Sequence, residues 1–260
     1  MTTGSSTGSN DDTGSGTRGG TGPAGGDVRR ALVLVGRGRY ADPWHDDAAT
    51  GHRVAGVLAA RGLVPEVRGT APDVLTGDLA PAHVRAQVPA LLVVVAGTGR
   101  RDPGWDGDDA AWSAFHSRLA ALVVEHGVPL LALHQAANTF TDAPGWAELV
   151  GGRWVPGLSM HPPIGPATFT PVPGEDHPVV AGLAPVEAFD ERYCLLQPAV
   201  SSRVLVTTAH DGTDHPVVWQ AAGPGRVLYD ALGHDTRSYD SPGRLALLGR
   251  EVEWLVSTVR

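Results

Sequence analysis

The 260-residue sequence has 28 acidic and 20 basic residues, giving a formal net charge of -8 at pH 7, and all of its basic residues are arginine. This acidic balance argues against nucleic acid as a partner, because nucleic-acid binding needs basic patches that displace counterions. A single cysteine, Cys194, excludes a disulfide framework and a CxxC metal knuckle.

The chain divides into a polar tail and one domain. Residues 1–27 are rich in Gly, Ser and Thr and cannot bury enough apolar area to offset their ordering entropy, so we predict a flexible tail. Hydrophobic residues make up 42% of the sequence, enough for one buried core over residues 28–260. The sequence shows no signal-peptide pattern and no apolar run near the ~18 residues of a spanning helix, which predicts a cytoplasmic protein without a membrane partner.

The first half of the domain alternates strand and helix patterns. Continuous apolar runs predict strands buried on both faces, at 31–35, 64–67, 90–95 and 129–133. Apolar residues at helical spacing predict one helix that ends near Gly62 and another that begins at Asp108 or Asp109. This alternation is typical of right-handed βαβ units and predicts an α/β fold with a doubly wound, mostly parallel sheet and helices on both faces.

The second half is richer in strands and turns. Its apolar runs predict strands at 203–208, 216–219 and 225–229, and an amphipathic helix over 244–259 closes the chain. We predict that residues 152–200 form an irregular insertion over one edge of the sheet, within the same domain.

Polar side chains gather where several predicted strands end. Ligands of open α/β sheets bind beyond the carboxyl ends of the strands, so these residues are the first candidates for a site. They include Trp44, His45, Thr98, His134, Asn138 and His234.

His134 is the foremost candidate. It follows a buried strand directly and precedes small residues, the context of a strand-to-helix elbow that presents its side chain to the crevice. The alternative interpretation is a histidine that only caps the following helix.

Three further histidines are candidates for the site, but each also has an interpretation without a functional role. His234 follows a strand but could be a simple loop histidine, and His45 could be a bystander beside a helix N-cap at Asp46 or Asp47. His161 reaches the rim only if the insertion folds back over it.

A polar and aromatic cluster lies within the insertion. Asp190 and Glu191 could act as general acid and base beside Tyr193, although charge on a solvated turn is the commoner reason for such a pair. Cys194 is predicted to be a buried small hydrophobe and not a nucleophile.

The cofactor is left open by the sequence. Several histidines and acids at one rim are compatible with a divalent metal such as zinc, yet no HxH or HxxxH pair occurs among them. Neither a GxGxxG fingerprint after the first strand nor a P-loop is present, which argues against dinucleotide and NTP binding.

Six segments in order resemble the ThuA-like (trehalose-utilisation) family, a branch of the class I glutamine-amidotransferase-like, flavodoxin-like fold. Each segment is short, but together they span most of the chain after Ala31. They are residues 132–140, 149–154 with His161 after them, 177–183, 189–193, 215–219 and 225–235.

The resemblance implies both a change in chemistry and a set of site residues. In the amidotransferase fold the elbow carries a cysteine nucleophile, but His134 stands there in this sequence, so we expect no glutaminase activity. The family implies a role in sugar catabolism and an association with oxidoreductases that make 3-keto-disaccharides. The implied site comprises His45, His134, His161, Asp190, Glu191, Tyr193 and His234.

The leading hypothesis is an enzyme that acts on a 3-keto disaccharide or a related sugar as its small-molecule partner. His134 or His234 would serve as the base, and Asp190 or Glu191 as the acid. Trp44 or Tyr193 would be a stacking platform, or a bound metal would polarise the ketone instead. Two rival hypotheses are a non-catalytic sugar-binding or regulatory module and a metal-dependent hydrolase. The sequence is compatible with a homo-oligomer and does not identify the exact substrate.

Overall fold

A computed structural model describes residues 29–77, 88–101 and 106–257, together with Met1 and Gly4. Apart from those two residues, the predicted tail over 1–27 lies outside the described part of the chain. The described strands, in chain order, are β1 Arg30–Val35, β2 Val64–Gly69, β3 Leu91–Val95, β4 Leu130–Leu133, β5 Gly152–Arg153, β6 Gly165–Pro171, β7 Val186–Asp190, β8 Gln197–Pro198, β9 Arg203–His210, β10 Thr213–Gln220 and β11 Val227–Asp230. The described α-helices are α1 Asp47–Ala59, α2 Asp109–Val124, α3 Trp146–Val150 and α4 Pro242–Val256.

Nine strands form one sheet in the order β2-β1-β3-β4-β11-β10-β9-β6-β7. The strands from β2 to β11 pair in parallel, and the strands beyond β11 pair antiparallel. The predicted doubly wound sheet is therefore confirmed, with an antiparallel extension at one side. β5 and β8 form a separate two-stranded ribbon.

The parallel strands are the apolar runs of the sequence. All residues of β3 and β4 are buried, and only Arg30 of β1 is partly exposed. Such strands are hydrophobic along their whole length because layers of structure cover both of their faces. The helices α1 and α4 contact each other and pack on one face of the sheet. The connection from β1 to β2 steps toward one edge of the sheet, and the connection from β3 to β4 steps toward the other. Right-handed crossovers in opposite directions place α1 and α2 on opposite faces.

Helix ends follow the capping chemistry of the sequence. Asp108 accepts a hydrogen bond from the Ala111 N–H and starts α2, one of the two predicted starts. Ser241 accepts from the Arg244 N–H and starts α4, which begins two residues before the predicted 244. The predicted end of that helix at 259 lies outside the described residues.

The prediction of an irregular insertion over residues 152–200 is wrong in one respect. β6 and β7 lie within it and extend the main sheet to its far edge. In β6, Ala167 and Phe169 are buried and alternate with exposed neighbours, which is the period of a half-buried strand. Gly165 and Pro171 at its ends shorten this alternating run, so the sequence pattern by itself favours a loop there.

The order of the strands reverses between β1 and β3, because the chain moves outward to β2 and then returns to the other side of β1. Such a switch point opens a crevice at the carboxyl ends of the strands. The parallel strands β1, β3, β4 and β11 all end at that edge, so the loops that follow them begin there. Among the described residues, no helix has the length and hydropathy needed to cross a lipid bilayer.

Candidate functional site

His134 occupies a strained elbow at the end of β4. It is the first residue of a short 3-10 helix, His134–Ala137, and its φ of 49° lies in the left-handed region that non-glycine residues seldom adopt. Strain of this kind persists where surrounding packing enforces it, and it concentrates at functional sites. The imidazole is buried, and its Nδ1 lies 2.7 Å from the carbonyl oxygen of Ala231. A carbonyl only accepts, so Nδ1 carries the proton and Nε2 offers a lone pair.

His45 faces His134 from the loop before α1. Its Nδ1 lies 3.0 Å from Oδ1 of Asp42, so this nitrogen also donates and Nε2 again carries the lone pair. Burial is the main cause that lowers the pKa of His45 to about 4, which keeps it neutral at physiological pH. Asp46 caps α1 as one alternative predicted, but His45 is part of the site and not a bystander.

The two Nε2 atoms of His45 and His134 are 3.0 Å apart. When both imidazoles are neutral and their Nδ1 nitrogens donate, the two Nε2 lone pairs face each other, which is unfavourable without a proton or a cation between them. Two nitrogens bound tetrahedrally at ~2.0–2.1 Å from one metal ion would be separated by roughly 3.3 Å. The observed separation is close to that value.

Glu191 and His234 complete the cluster. Glu191 Oε2 lies 3.2 Å from Nδ1 of His234 and 3.5 Å from Nε2 of His134. These distances suit ion pairing, yet the buried Oε2 and His234 Nδ1 make no well-aligned hydrogen bond with any described residue. One ligand atom from each member of the metal-ligand cluster, which comprises His45, His134, Glu191 and His234, lies within 4.8 Å of all the others. Three imidazoles and a carboxylate are ligands that divalent zinc and related transition metals favour.

Contacts within this cluster shift the pKa values of Glu191 and His234. Burial acts to raise the pKa of Glu191, but contacts with His134 and His234 outweigh it and hold that pKa well below its usual range. Burial acts to lower the pKa of His234, but Glu191 outweighs it and raises that pKa above the ordinary value. Glu191 is therefore an anion at neutral pH and supplies the negative charge that a cation would need.

Asp190 has a different role from the acid predicted for it. Its Oδ1 accepts from the backbone N–H groups of Glu191 at 2.9 Å and His234 at 3.0 Å. Its Oδ2 accepts from the N–H of Gly233 at 2.8 Å and from the hydroxyl of Ser238 at 2.5 Å. Both oxygens are buried and each accepts two hydrogen bonds, so Asp190 is a positioning residue for two members of the cluster.

A cavity of about 490 Å³ opens above the cluster. Its volume is in the range of small-molecule sites. Most of the residues predicted for the site line it, together with two that were not predicted, Gln135 and Trp154. The lining residues are Trp44, His45, Gln135, Asn138, Trp154, His161, Glu191, Tyr193 and His234.

Aromatic rings form much of the wall. Tyr193 lies with its ring centre 4.8 Å from that of Trp154 and 5.9 Å from that of His161, and its hydroxyl is 3.0 Å from Nε2 of His134. Trp44 is 80% exposed and stands at the mouth. Exposed and half-buried aromatic faces suit the apolar C–H faces of a ring-shaped ligand.

His161 does reach the rim, because the insertion folds back over the site. Its Nδ1 lies 3.1 Å from the Pro162 carbonyl oxygen and 3.4 Å from Oε1 of Glu191. Both partners only accept, so Nδ1 carries the proton and Nε2 is the basic nitrogen. A side chain 39% exposed keeps this imidazole accessible to a ligand.

Thr98 is the one predicted binding residue that the structure places elsewhere. It lines a neighbouring cavity of about 480 Å³ with Arg39 and Asp142. The loop after β3 is drawn away because the Gly97 N–H donates to the Tyr40 carbonyl and Thr139 donates to the Gly97 carbonyl. Thr98 is therefore not a binding residue of the cavity above the metal-ligand cluster.

Sequence reasoning missed three residues of the site. Asp42 orients His45, Gln135 follows the elbow directly, and Trp154 lies between β5 and His161. Gln135 is visible in the sequence as the neighbour of His134, and Trp154 belongs to a segment that the family resemblance includes. Asp42 gives no signal, because its role depends on a three-residue turn toward His45.

Comparison with known proteins agrees with this architecture. A family model, ThuA (trehalose utilisation), matches residues 104–255, more than half of the chain, and this range contains His134, His161, Glu191 and His234. No curated protein matches the chain in sequence.

Solved structures show the same fold. A ThuA-like protein from Parabacteroides merdae superposes with a TM-score of 0.68 at 17% identity, over 88% of this chain and 90% of that one. A ThuA-like protein from Bacteroides uniformis gives 0.65 at 18% identity, over 92% and 96%. A glutamine amidotransferase from Thermotoga maritima gives 0.52 at 9% identity, over 90% and 100%. The chain belongs to the ThuA (trehalose utilisation) family and has a glutamine amidotransferase-like fold.

Proposed function

We propose that this protein is a divalent-metal-dependent enzyme that acts on a sugar, with His45, His134, Glu191 and His234 as the metal ligands. The observation that carries the proposal is the 3.0 Å approach of two imidazole Nε2 atoms whose Nδ1 nitrogens are already committed as donors. The buried Glu191 Oε2, close to two imidazoles but aligned with neither, supports the same interpretation.

The outer contacts of the ligands fit a metal site. Metal-bound histidines usually donate their second ring nitrogen to a carboxylate or a backbone carbonyl, which fixes the tautomer. Asp42 supplies the carboxylate for His45, and Ala231 supplies the carbonyl for His134. A cation held there would act as a Lewis acid on a carbonyl or hydroxyl oxygen of the substrate.

The residues around the ligands suggest how a sugar is processed. Trp44, Trp154 and Tyr193 offer aromatic surface to a ring, and Gln135 has a buried Oε1 without a described partner that can accept from a substrate hydroxyl. His161 lies outside the ligand set with a basic Nε2, so we assign it as the general base. His134 and His234, which the sequence favoured for that role, are used as ligands.

A 3-keto sugar suits this arrangement. The carbonyl group at C3 acidifies the adjacent C–H, so the proton can move to Nε2 of His161 while the electron pair moves onto the C3 oxygen as an enolate. A positioned imidazole contributes about 10²–10⁴-fold to such a transfer. Glu191 Oε1 stabilises the imidazolium that forms, because it lies 3.4 Å from Nδ1. Glutaminase chemistry needs a thiolate at the elbow, where this chain has His134; its one cysteine, Cys194, is buried elsewhere.

A test compares demetallated and zinc-reconstituted protein on 3-keto and ordinary disaccharides, with product detection by mass spectrometry. We expect turnover of the 3-keto sugar that chelation removes and zinc restores, and a loss of at least about 100-fold in His161→Ala with metal content retained. His210→Ala is the matched control, because His210 lies on β9, outside the cavity lining.

The second candidate is a non-catalytic sugar-binding module, which the missing elbow thiol favours. It predicts that a sugar raises the melting temperature while no product forms during long incubation of the zinc-loaded protein. That result would overturn the enzymatic proposal.

A further inference from the structure

A cavity of about 620 Å³, the α2–α3 cavity, lies between α2, α3 and the turn that joins β10 to β11. His116, Ala120 and Val123 recur at a spacing of three or four residues along α2, so they share one face of that helix, and all three line the cavity. Trp146 and Leu149 of α3 line it as well. Its lining shares no residue with that of the cavity above the metal-ligand cluster, so the two are separate.

His116 places an imidazole among these apolar walls. Its side chain is only 10% exposed, and its ring packs against the rings of Phe115 and Phe140. Tyr40 donates its hydroxyl proton to Asp142 at 2.8 Å, so Nε2 of His116, 2.8 Å from that hydroxyl, donates to the Tyr40 oxygen. Nδ1 then carries the lone pair, and it accepts no hydrogen bond from any residue that the structure describes. A buried acceptor of this kind calls for a donor from a ligand.

Asp142 supplies a carboxylate beside this imidazole and also lines the cavity. Its Oδ1 lies 3.4 Å from Nε2 of His116, and its side chain is 40% exposed. Arg39 and Tyr40 are its hydrogen-bond donors, which leaves about half of the roughly four lone-pair directions of the carboxylate open. Burial acts to raise the pKa of Asp142, but hydrogen bonds outweigh it and hold that pKa well below its usual range. The group is therefore an anion at neutral pH.

The charged side chains that line the α2–α3 cavity are acidic. Besides Asp142 there is Glu148, whose exposed carboxylate forms no ion pair within the described ranges. No arginine is among the described lining residues, and the chain has no lysine. Arg39 pairs with Asp142 but is shared with two further carboxylates, so it does not cancel that charge. This lining is complementary to a cation and repels a carboxylate or a phosphate.

We propose that the α2–α3 cavity binds an amphipathic amine in its ammonium form. The ammonium N–H groups donate to Nδ1 of His116 and to the carboxylate of Asp142, and the hydrocarbon body packs against the apolar faces of α2 and α3. An ammonium group has three donors and no acceptor, as these partners require. Like the lysine side chain, an alkylamine is protonated at neutral pH. This site needs neither the metal nor a sugar, so it stands apart from the proposed function.

Isothermal titration calorimetry at neutral pH and low salt tests the site with two probes of equal chain length, octylamine and octanoate. We expect octylamine to bind at least about tenfold more tightly than octanoate. Asp142→Asn should lower the affinity for octylamine by about tenfold, and Glu148→Gln by about threefold. Ala120→Trp fills the apolar part of the cavity from an exposed position on α2 and should lower it by at least about tenfold.

Two control variants lie outside the cavity lining and should keep the full affinity. Glu253→Gln removes one exposed carboxylate from α4, and Ala59→Trp adds an indole at the exposed end of α1. Equal affinities for the two probes, including no binding of either, would overturn the site. So would equal losses in Glu148→Gln and Glu253→Gln, which would assign the attraction to the net charge of the whole chain. Should Asp142→Asn fail to fold, Glu148→Gln and Ala120→Trp, each against its control, decide the question.

Discussion

The carboxylate of Asp190 is connected to His234 through the main chain, where Oδ1 accepts from the His234 N–H at 3.0 Å. The same oxygen accepts from the Glu191 N–H at 2.9 Å, so one buried side chain fixes the backbone of two candidate ligands that are distant in the sequence. Asp190 touches neither the cavity nor the ligand atoms. Its effect on a metal held by these ligands would therefore be indirect.

Asp190→Ala is expected to weaken zinc binding by about 10–100-fold, the usual cost of removing an outer contact of a metal site. Competition with a chromogenic chelator measures the affinity directly, without any assay of turnover. Asp214→Ala, an exposed position on β10, serves as the control. Unchanged zinc affinity in Asp190→Ala would show that the loop keeps its place without this carboxylate.

Tyr193→Phe removes the hydroxyl of Tyr193 and keeps its aromatic ring. That hydroxyl lies 3.0 Å from Nε2 of His134, where it donates to the lone pair that a metal would use. Loss of this buried hydrogen bond should lower the free energy of unfolding of the metal-free protein by about 0.5–1.5 kcal/mol in urea titrations.

Zinc affinity should stay the same or rise in Tyr193→Phe, because a competing donor is gone. Tyr229→Phe is the matched control, since its hydroxyl donates to the His134 carbonyl at 2.8 Å and not to the imidazole. A tenfold fall in zinc affinity in Tyr193→Phe alone would make the Tyr193 oxygen part of the metal centre.

Asp47 makes stability depend on pH. Burial, with smaller contributions from Asp42 and Asp46, raises the pKa of this carboxyl to about 8 from its ordinary value of 3.8. The folded protein then holds a proton that the unfolded chain has released, so stability falls as pH rises from about 4 through 8. The start of α1 favours a negative charge, but by less than the burial of a 7% exposed carboxyl opposes it.

Asp47→Asn removes this titration. We expect its free energy of unfolding to exceed that of the unmodified protein by roughly 3–4 kcal/mol more at pH 8 than at pH 5, as measured by chemical denaturation. Asp46→Asn is the control, since asparagine also caps helices and the neighbouring titration remains. An equal effect of Asp47→Asn at both pH values would contradict the raised pKa.

Arg244 lies fully buried with two acids, at 2.7 Å from Asp230 and 3.8 Å from Glu251. Burial raises the pKa of Glu251 well above its usual range, so the guanidinium chiefly neutralises Asp230. Arg244→Met leaves that acid buried without its partner and should lower the free energy of unfolding by about 3–5 kcal/mol.

The comparison for this change is Arg250→Met on the same helix. Arg250 donates one hydrogen bond to the Ala181 carbonyl, and its loss should cost about 1 kcal/mol. Similar effects of the two substitutions in urea titrations would show that the buried charge is not the source of the stability.

Most of the fold can be predicted from the sequence, because the parallel strands are uninterrupted apolar runs and the helices have ordinary caps. β6 and β7 escape prediction since the alternation in each is short, and Gly165 and Pro171 bound that of β6. The rule that ligands bind at strand ends predicts His45, His134 and His234 at one edge of the sheet, and the three imidazoles lie together there.

Two features of the site depend on three-dimensional detail. Asp190 and Glu191 are adjacent in sequence but diverge in role, because one side chain turns inward to backbone N–H groups and the other turns to the imidazoles. The candidate metal ligands come from separate segments of the chain without a short spacing motif, so no HxH or HxxxH pattern indicates them.

The most direct test of the metal centre is elemental analysis of the purified protein, exchanged into buffer with one equivalent of zinc and then freed of unbound ion. The arrangement of His45, His134, Glu191 and His234 predicts about one zinc per chain, and His134→Ala and Glu191→Ala should each retain less than about a tenth of it. His210→Ala should keep the full amount. Zinc content below about a tenth of an equivalent in the unmodified protein, or equal content in all four proteins, would contradict the proposed centre.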